Sequence, residues 1–385
     1  MTTTLRPVSL AGGDLRFAGI VELEPTASGT VLHRMPGWAR TRHNDVALSL
    51  LETMPSGGRI EMVTDATCLE LDVQLTLVQL GAEPGPPATF ELVVNGERVA
   101  ANSTRTGTLI VIDRRTGAVD IQPGGSETIR FDGLPPSEKH VEVWLPHAAA
   151  VRMLELRADG AVTAPPPAAR RWVHYGSSIS HCLEATHPTG VWPVVAARLA
   201  GLDLQSFAFA GQCQLDPFAG RMIASQPADL VSLKLGINIV NADSMRERTF
   251  VPAVHGLLDT IRDRHPEIPI VLITPITCPV AEDHAGPTSV DEDGQCSVVE
   301  RSPDLSLGAL TLRRIRELEA EIVTARRGAG DEHLHLLPGP DLFGPDDVAD
   351  LPDGLHPNAA GYQRMGDRFH AWAFEDGPFR EVRAL

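Results

Sequence analysis

The sequence predicts an all-β sandwich followed by a doubly wound α/β domain. Three observations predict it. From about residue 15 to residue 163 the chain carries short β-rich runs broken by turn signals, with no long helical period. Ala164-Pro165-Pro166-Pro167-Ala168-Ala169 is then a linker by composition. Beyond it, nearly continuous apolar runs alternate with helix-period segments, as in a parallel sheet covered on both faces. The expected division is a first domain over 1–164, a proline-rich linker over 165–170 and a second domain over 171–385.

In the first domain, Arg59–Val63, Cys68–Val78, Phe90–Val94, Thr108–Ile112, Thr128–Phe131 and His140–Leu145 read as strands, several with period-two alternation. Asn95-Gly96 between two such runs is a hairpin signal, because a two-residue turn of the favoured hand needs positive φ at both positions. Pro123-Gly124-Gly125 and Pro135-Pro136 are further breaks, and Met153–Leu156 reads as one last short strand. The simplest architecture is a sandwich of jelly-roll type.

In the second domain, strands are expected at Trp172–Tyr175, Asp203–Phe209, Leu230–Leu235, Ile270–Thr274 and Leu334–Leu337. Helices are expected at Val191–Ala200, Thr249–Arg264, Leu307–Arg326 and Ala359–Trp372. The acidic, turn-rich stretch Glu282–Pro303 reads as a polar surface loop, and Asp291, Glu292 and Asp293 within it as solvated charges rather than a metal site.

Composition narrows the function. Against 33 basic residues stand 50 acidic ones, a net charge of −17, which disfavours nucleic acid and anionic membrane surfaces as partners. No apolar run is long enough to span a bilayer, and the start, from Met1 to Asp14, lacks the apolar core of a secretory signal. The five cysteines are scattered without a C-x-x-C pair, so neither a zinc cage nor a disulfide framework is expected, and reduced thiols in a cytoplasm fit best. Oligomeric state is left open.

Four stretches of the second domain end an apolar strand, or open a helix, with small or polar residues: Gly176-Ser177-Ser178-Ile179, Ala210-Gly211-Gln212, Gly236-Ile237-Asn238 and Asp353-Gly354-Leu355-His356-Pro357-Asn358. Strand carboxyl ends are where open α/β sheets keep their chemistry. A serine nucleophile needs a base, a group orienting that base, and donors for an oxyanion. Asp353 and His356 lie three apart at an expected helix start, so both can serve one serine. Gly211 and Asn238 offer a backbone N–H and a side-chain amide. Taken singly, each stretch has a plainer reading: capping serines, a capping aspartate, a turn asparagine. His174 reads as structural and Trp192 as packing.

Together, in this order, the four blocks resemble those of the SGNH (GDSL-like) hydrolase superfamily over Trp172 to about Phe374, and D-G-L-H-P-N-x-x-G-Y is the most specific of them. The opening Y-G-S-S-I-S is similar to the branch written G-[ST]-S-I-[ST], which often carries an N-terminal β-sandwich. The resemblance implies a flavodoxin-like catalytic domain with Ser178 as nucleophile, His356 as general base and then acid, and Asp353 orienting His356. It implies an oxyanion hole made by Ser178, Gly211 and Asn238. His181 and Ile237 are the candidate substrate contacts. The sequence departs from the family pattern at Ser177, where aspartate is common, at Phe209, where asparagine is frequent, and at Ile239, where aspartate is usual.

The expected activity is hydrolysis of a short, acetyl-like ester on a polar carrier such as a sugar or a glycosylated metabolite, with no metal and no cofactor. Two other readings stand beside it. One is an acyltransferase using the same triad; the other is a carbohydrate-binding protein with a degenerate hydrolase domain.

Overall fold

The computed structural model describes residues 4–168, 170–375 and 377–382. Ala169 of the linker, Met1-Thr2-Thr3, and the last three residues of the second domain lie outside the described residues. The chain divides into two compact units. One comprises Met1–Arg40, Asn44–Ala168 and Thr186–Thr189; the other comprises Thr41–His43, Ala169–Ala185 and Gly190–Leu385. Two short segments, 41–43 and 186–189, therefore belong to the unit that a single linear boundary does not give them.

The first unit is sheet-rich. Its strands are β1 (Arg6–Val8), β2 (Arg16–Ala18), β3 (Glu22–Thr26), β4 (Gly29–His33), β5 (Arg59–Thr64), β6 (Cys68–Leu80), β7 (Ala88–Val94), β8 (Glu97–Thr104), β9 (Thr108–Ile112), β10 (Val119–Gln122), β11 (Glu127–Asp132), β12 (Lys139–Trp144), β13 (Ala149–Ala158) and β14 (Val162–Thr163). Two short helices, α1 (Gly37–Arg40) and α2 (Val46–Leu51), follow β4. One sheet runs β10-β9-β6-β13-β4-β3, with β1 on β13 and β11 on β6; the other runs β14-β5-β12-β7-β8, with β2 on β5. A single apolar cluster takes Leu71 and Val73 from the first sheet and Ile60, Phe90 and Val141 from the second, so the two sheets share one core. Asn95 (φ 50°) and Gly96 (φ 85°) form the tight turn between β7 and β8. The expected short strand at Met153–Leu156 is instead the ten-residue β13, which bulges between Met153 and Glu155 and pairs with β6, β4 and β1. Its apolar alternation is interrupted at the bulge, which is why only a fragment was legible. Strands β6 and β9 pair in parallel, so this sheet is mixed.

The second unit is a five-stranded parallel sheet of β15 (Arg171–Gly176), β16 (Asp203–Ala208), β17 (Leu230–Lys234), β18 (Ile270–Ile273) and β21 (Leu334–Leu337), plus a hairpin of β19 (Thr288–Val290) and β20 (Cys296–Val298). The sheet order is β16-β15-β17-β18-β21, the 2-1-3-4-5 order of a flavodoxin-like domain. Its helices are α3 (Ser178–His181), α4 (Trp192–Ala200), α5 (Pro217–Ser225), α6 (Ile237–Ala242), α7 (Glu247–Arg262), α8 (Leu312–Gly328), α9 (Gly339–Leu342) and α10 (Ala359–His370). Every residue of β17 and β18 is buried, so helices cover both faces of the sheet centre. Helix α4 packs on α10, and α5 and α8 pack on α7. Trp172 of β15 stacks on Phe369 of α10 with centroids 5.0 Å apart, and Trp192 of α4 meets Phe369 edge-on. That aromatic cluster fixes α10, and with it the segment leading into α10, against the first strand of the sheet. Among the described residues no helix is long and apolar enough to cross a membrane.

Candidate active site

The chain changes direction in the sheet between β15 and β17, and chemistry gathers at such a switch point. Strand β15 ends at Gly176, and Ser177 caps α3, its side chain accepting the Ile179 N–H at 3.3 Å. Ser178 is thus the first residue of a helix, where a backbone N–H has no acceptor within the helix. Strand β17 ends at Lys234. Gly236, at φ 96°, then turns the chain so that α6 begins at Ile237; a Cβ there would lie 2.6 Å from Ile315. The turn brings Asn238, 2% exposed, to the switch point.

His356 arrives from the other end of the chain. Its Nε2 lies 2.9 Å from Ser178 Oγ, and its Nδ1 lies 2.6 Å from Asp353 Oδ2. The Oδ1 of Asp353 accepts the backbone N–H groups of Leu355 (2.9 Å) and His356 (2.7 Å). The segment is therefore a turn and not yet a helix. Helix α10 starts at Ala359, capped by Asn358, whose side chain accepts the Gly361 N–H. The helix begins at Ala359, where the sequence places it, and its cap is Asn358 and not Asp353. Gly354 sits at φ 78° and Pro357 follows, and neither suits a helix interior.

Charge is arranged around the imidazole. Burial works against a charged His356, but the Glu184 charge, the hydrogen bond from Asp353 and the Asp353 charge outweigh it, so its pKa is raised above the ordinary histidine value. Burial also works against ionised Asp353; the donors from His356 and Leu355 outweigh it and hold its pKa below the usual carboxylate value. An ionised Asp353 accepts the Nδ1–H and leaves Nε2 as an acceptor facing the Ser178 hydroxyl. The row Ser178–His356–Asp353 can move a proton off the serine.

The sequence-predicted oxyanion donors fall into two kinds. Asn238 Oδ1 accepts the Cys213 N–H at 3.0 Å, which leaves its NH2 as the donor end. Gly211 is exposed in the turn after β16, and its carbonyl accepts from Gln214 Nε2 at 3.2 Å. Gln214 also donates to the Asn238 carbonyl at 3.3 Å and so ties the second and third blocks together. Of the candidate substrate contacts, His181 is 0% exposed, in α3, and Ile237 is 1% exposed, at the start of α6. His174 is buried with Nδ1 2.7 Å from Ser232 Oγ; burial, then the Lys234 charge, push its pKa down to about 3, so it stays neutral.

The stretch Glu282–Pro303 is more than the polar loop expected. It folds into the β19–β20 hairpin, and the Cys296 N–H donates to the Asp353 carbonyl at 2.9 Å while Gln295 Nε2 donates to the Pro352 carbonyl at 3.1 Å. The hairpin braces the turn that carries Asp353. It also leaves Val290 and Val299 exposed, an apolar character that the acidic residues around them mask in the sequence. Sequence reasoning missed Glu184 as well, and took Tyr362 only as the last residue of the fourth block, with no role of its own. Tyr362 donates to Glu184 Oε2 at 2.7 Å, and Glu184 Oε1 lies 3.8 Å from His356 Nδ1. No spacing rule marks a carboxylate six residues after a nucleophile.

The fold and this hydrogen-bonded row together are those of an ester hydrolase. Residues 174–364 match the model of the GDSL-like Lipase/Acylhydrolase family, and this part of the chain belongs to that family. Among solved structures, the chain is similar to the salicylyl-acyltransferase SsfX3 from a tetracycline biosynthetic pathway, with 27% identity over 94% of this chain and 95% of that one and a TM-score of 0.77. It shares its fold with a GDSL-like lipase from Bacteroides ovatus (18% identity, 95% of each chain, TM-score 0.66). It also shares its fold with an acetyl xylan esterase from Butyrivibrio proteoclasticus (14% identity, 97% of this chain and 98% of that one, TM-score 0.54). No curated protein matches the chain.

Proposed function

We propose that the protein is a cytoplasmic serine esterase that hydrolyses a short, acetyl-like ester on a polar carrier such as a sugar or a glycosylated metabolite. Ser178 is the nucleophile, His356 the base and then the acid, and Asp353 the group that orients His356. The observation that carries this reading is the unbroken row from Ser178 Oγ to His356 at 2.9 Å and from His356 to Asp353 at 2.6 Å. Ser178 Oγ attacks the ester carbonyl while its proton passes to His356 Nε2. The carbonyl π pair moves onto oxygen, facing the N–H groups of Ser178 and Gly211 and the Asn238 amide. Collapse expels the alcohol, which takes the proton from Nε2, and water repeats the sequence on the acyl-enzyme.

Support for a short acyl group is that the sequence carries no long apolar lid segment near any of the four blocks. Each further CH2 adds ~0.8 kcal/mol only where an apolar groove buries it. The five free cysteines support a reducing compartment. A second reading, transfer to an alcohol instead of water, is favoured by the 27% identity to an acyltransferase. The first test is labelling by a fluorophosphonate probe: wild type labels and Ser178→Ala does not. Failure of wild type to label supports the degenerate, binding-only reading. The second is a p-nitrophenyl ester series from acetyl to dodecanoyl, with and without sugar and alcohol acceptors. Highest kcat/KM at acetyl, with free acid as product, is expected. A preference for octanoyl or longer overturns the short-acyl claim, and acyl transfer outrunning hydrolysis at millimolar acceptor makes the protein a transferase.

A further inference from the structure

The loop that follows the nucleophile returns a second carboxylate to the histidine. After α3, Cys182 adopts the left-handed conformation (φ 58°) and reverses the chain, and the Ala185 N–H closes the turn onto the Cys182 carbonyl at 3.0 Å. Glu184 lies in that turn. Its Oε1 is 3.8 Å from His356 Nδ1, on the side where Asp353 Oδ2 already accepts at 2.6 Å. Its other oxygen, Oε2, accepts the hydroxyl of Tyr362 at 2.7 Å. Tyr362 is wholly buried in the first turns of α10, so this hydroxyl is a fixed donor that holds the Glu184 carboxylate in place.

We propose that Glu184, held by Tyr362, is a positioning residue that shares with Asp353 the task of stabilising and orienting the imidazolium of His356. The inference rests on the reading of Ser178 and His356 given above. The charged groups that act on His356 are Asp353, from the turn before α10, and Glu184, from the loop after α3, and both are negative. Each time Nε2 takes a proton, first from Ser178 and later from water, the positive charge grows between these two carboxylates. A charge 3.8 Å away that is only partly exposed is weakly screened, so it favours imidazolium over neutral imidazole. Glu184 thereby makes His356 a stronger base and lowers the cost of the charged transition state. It also stands ready to accept the Nδ1–H when Asp353 cannot.

The experiment is a double-mutant cycle of Glu184→Gln and Asp353→Asn, with Tyr362→Phe alongside, measured as kcat and KM for p-nitrophenyl acetate across pH 5 to 9. The His356 imidazole is followed by NMR titration in the same variants. Glu184→Gln is expected to move the acid limb of kcat/KM and the NMR titration down together by about one pH unit. The plateau kcat should fall about tenfold, with KM little changed. Tyr362→Phe should move both in the same direction by less. In the Asp353→Asn background the cost of Glu184→Gln should be at least about tenfold larger than in wild type, because one carboxylate substitutes for the other. An unmoved limb and titration, with equal costs in the two backgrounds, overturns the proposal. If Glu184→Gln does not fold, Tyr362→Phe decides by the same two readouts. Fluorophosphonate labelling of Ser178 in every variant separates the two ideas. Loss of the Glu184 effects with labelling intact sinks only this inference, whereas a wild type that does not label sinks the esterase reading beneath it.

Discussion

Ser178 Oγ lies 2.9 Å from His356 Nε2, although 178 residues separate them along the chain. Ser177, the neighbour of Ser178, points elsewhere and caps α3. Ser178→Ala is therefore expected to lower kcat/KM by ~10⁴-fold or more with the fold intact. Ser177→Ala should keep turnover within a few-fold and cost about 1 kcal/mol as a lost helix cap. Steady-state kinetics and thermal melts of both variants check this, and an active Ser178→Ala enzyme would sink the assignment.

The raised pKa of His356 sets the pH profile. The base acts in its neutral form, so kcat/KM should rise with pH through an apparent value above the ordinary 6.5 of histidine. The same group makes a stability contribution of definite sign. Its folded pKa is raised, so its contribution is complete below the unfolded value and is lost as pH rises through the folded one. A limb centred below 6 in a stable protein would contradict the arrangement of Asp353 and Glu184 around the ring.

Asn238→Ala should lower kcat by ~10²- to 10³-fold, with a smaller change in KM, because its amide serves charge that exists only in the transition state. The bond from the Cys213 N–H fixes which end of that amide is the donor. Parallel changes in kcat and 1/KM of under threefold would remove Asn238 from the oxyanion site.

In the first unit, Glu91 is wholly buried and accepts the Thr189 N–H (2.9 Å), the Thr189 hydroxyl (2.7 Å) and Arg98 (2.8 Å). Burial pushes its pKa up, but His187 and Thr189 outweigh burial and bring it down to about 2. A depressed carboxylate pKa contributes stability above its unfolded value near 4.3, and that contribution is lost as pH falls toward about 2. Glu91→Gln should cost about 2 kcal/mol at neutral pH, since one of the buried donors loses its acceptor. Its melting temperature should also fall less than that of wild type between pH 5 and 3. Equal acid sensitivity in the two proteins would show that Glu91 is not the titrating group.

Much of the site was legible because its signals are local. Four short blocks, with Asp353 and His356 three apart, mark a serine, a base and its partner, and the structure lines them up with His356 in the middle. What was illegible is what those blocks lean on. Helix α5 was missed because Pro217–Ser225 is short, opens on a proline and carries Gly220 inside it, and the β19–β20 hairpin because acidic residues surround its short strands. Glu184 is an ordinary residue in its local sequence, and Tyr362, though it closes the fourth block, shows what it holds only where the fold brings Glu184 to it.

The sequence by itself determined the alternation of strand and helix, the sheet-rich first part and the four blocks, because periodicity and turn chemistry are written within a few residues of each other. Only the tertiary structure decided the order β16-β15-β17-β18-β21, which puts Ser178 and Asn238 on either side of the switch point. It alone turned the Asn238 amide with the Cys213 N–H, braced Asp353 with Cys296, and set Glu184 beside His356. Each of these pairs spans at least 25 residues, the separation of Cys213 and Asn238. Their distances are set by how helices pack on the sheet, and no local pattern encodes that packing.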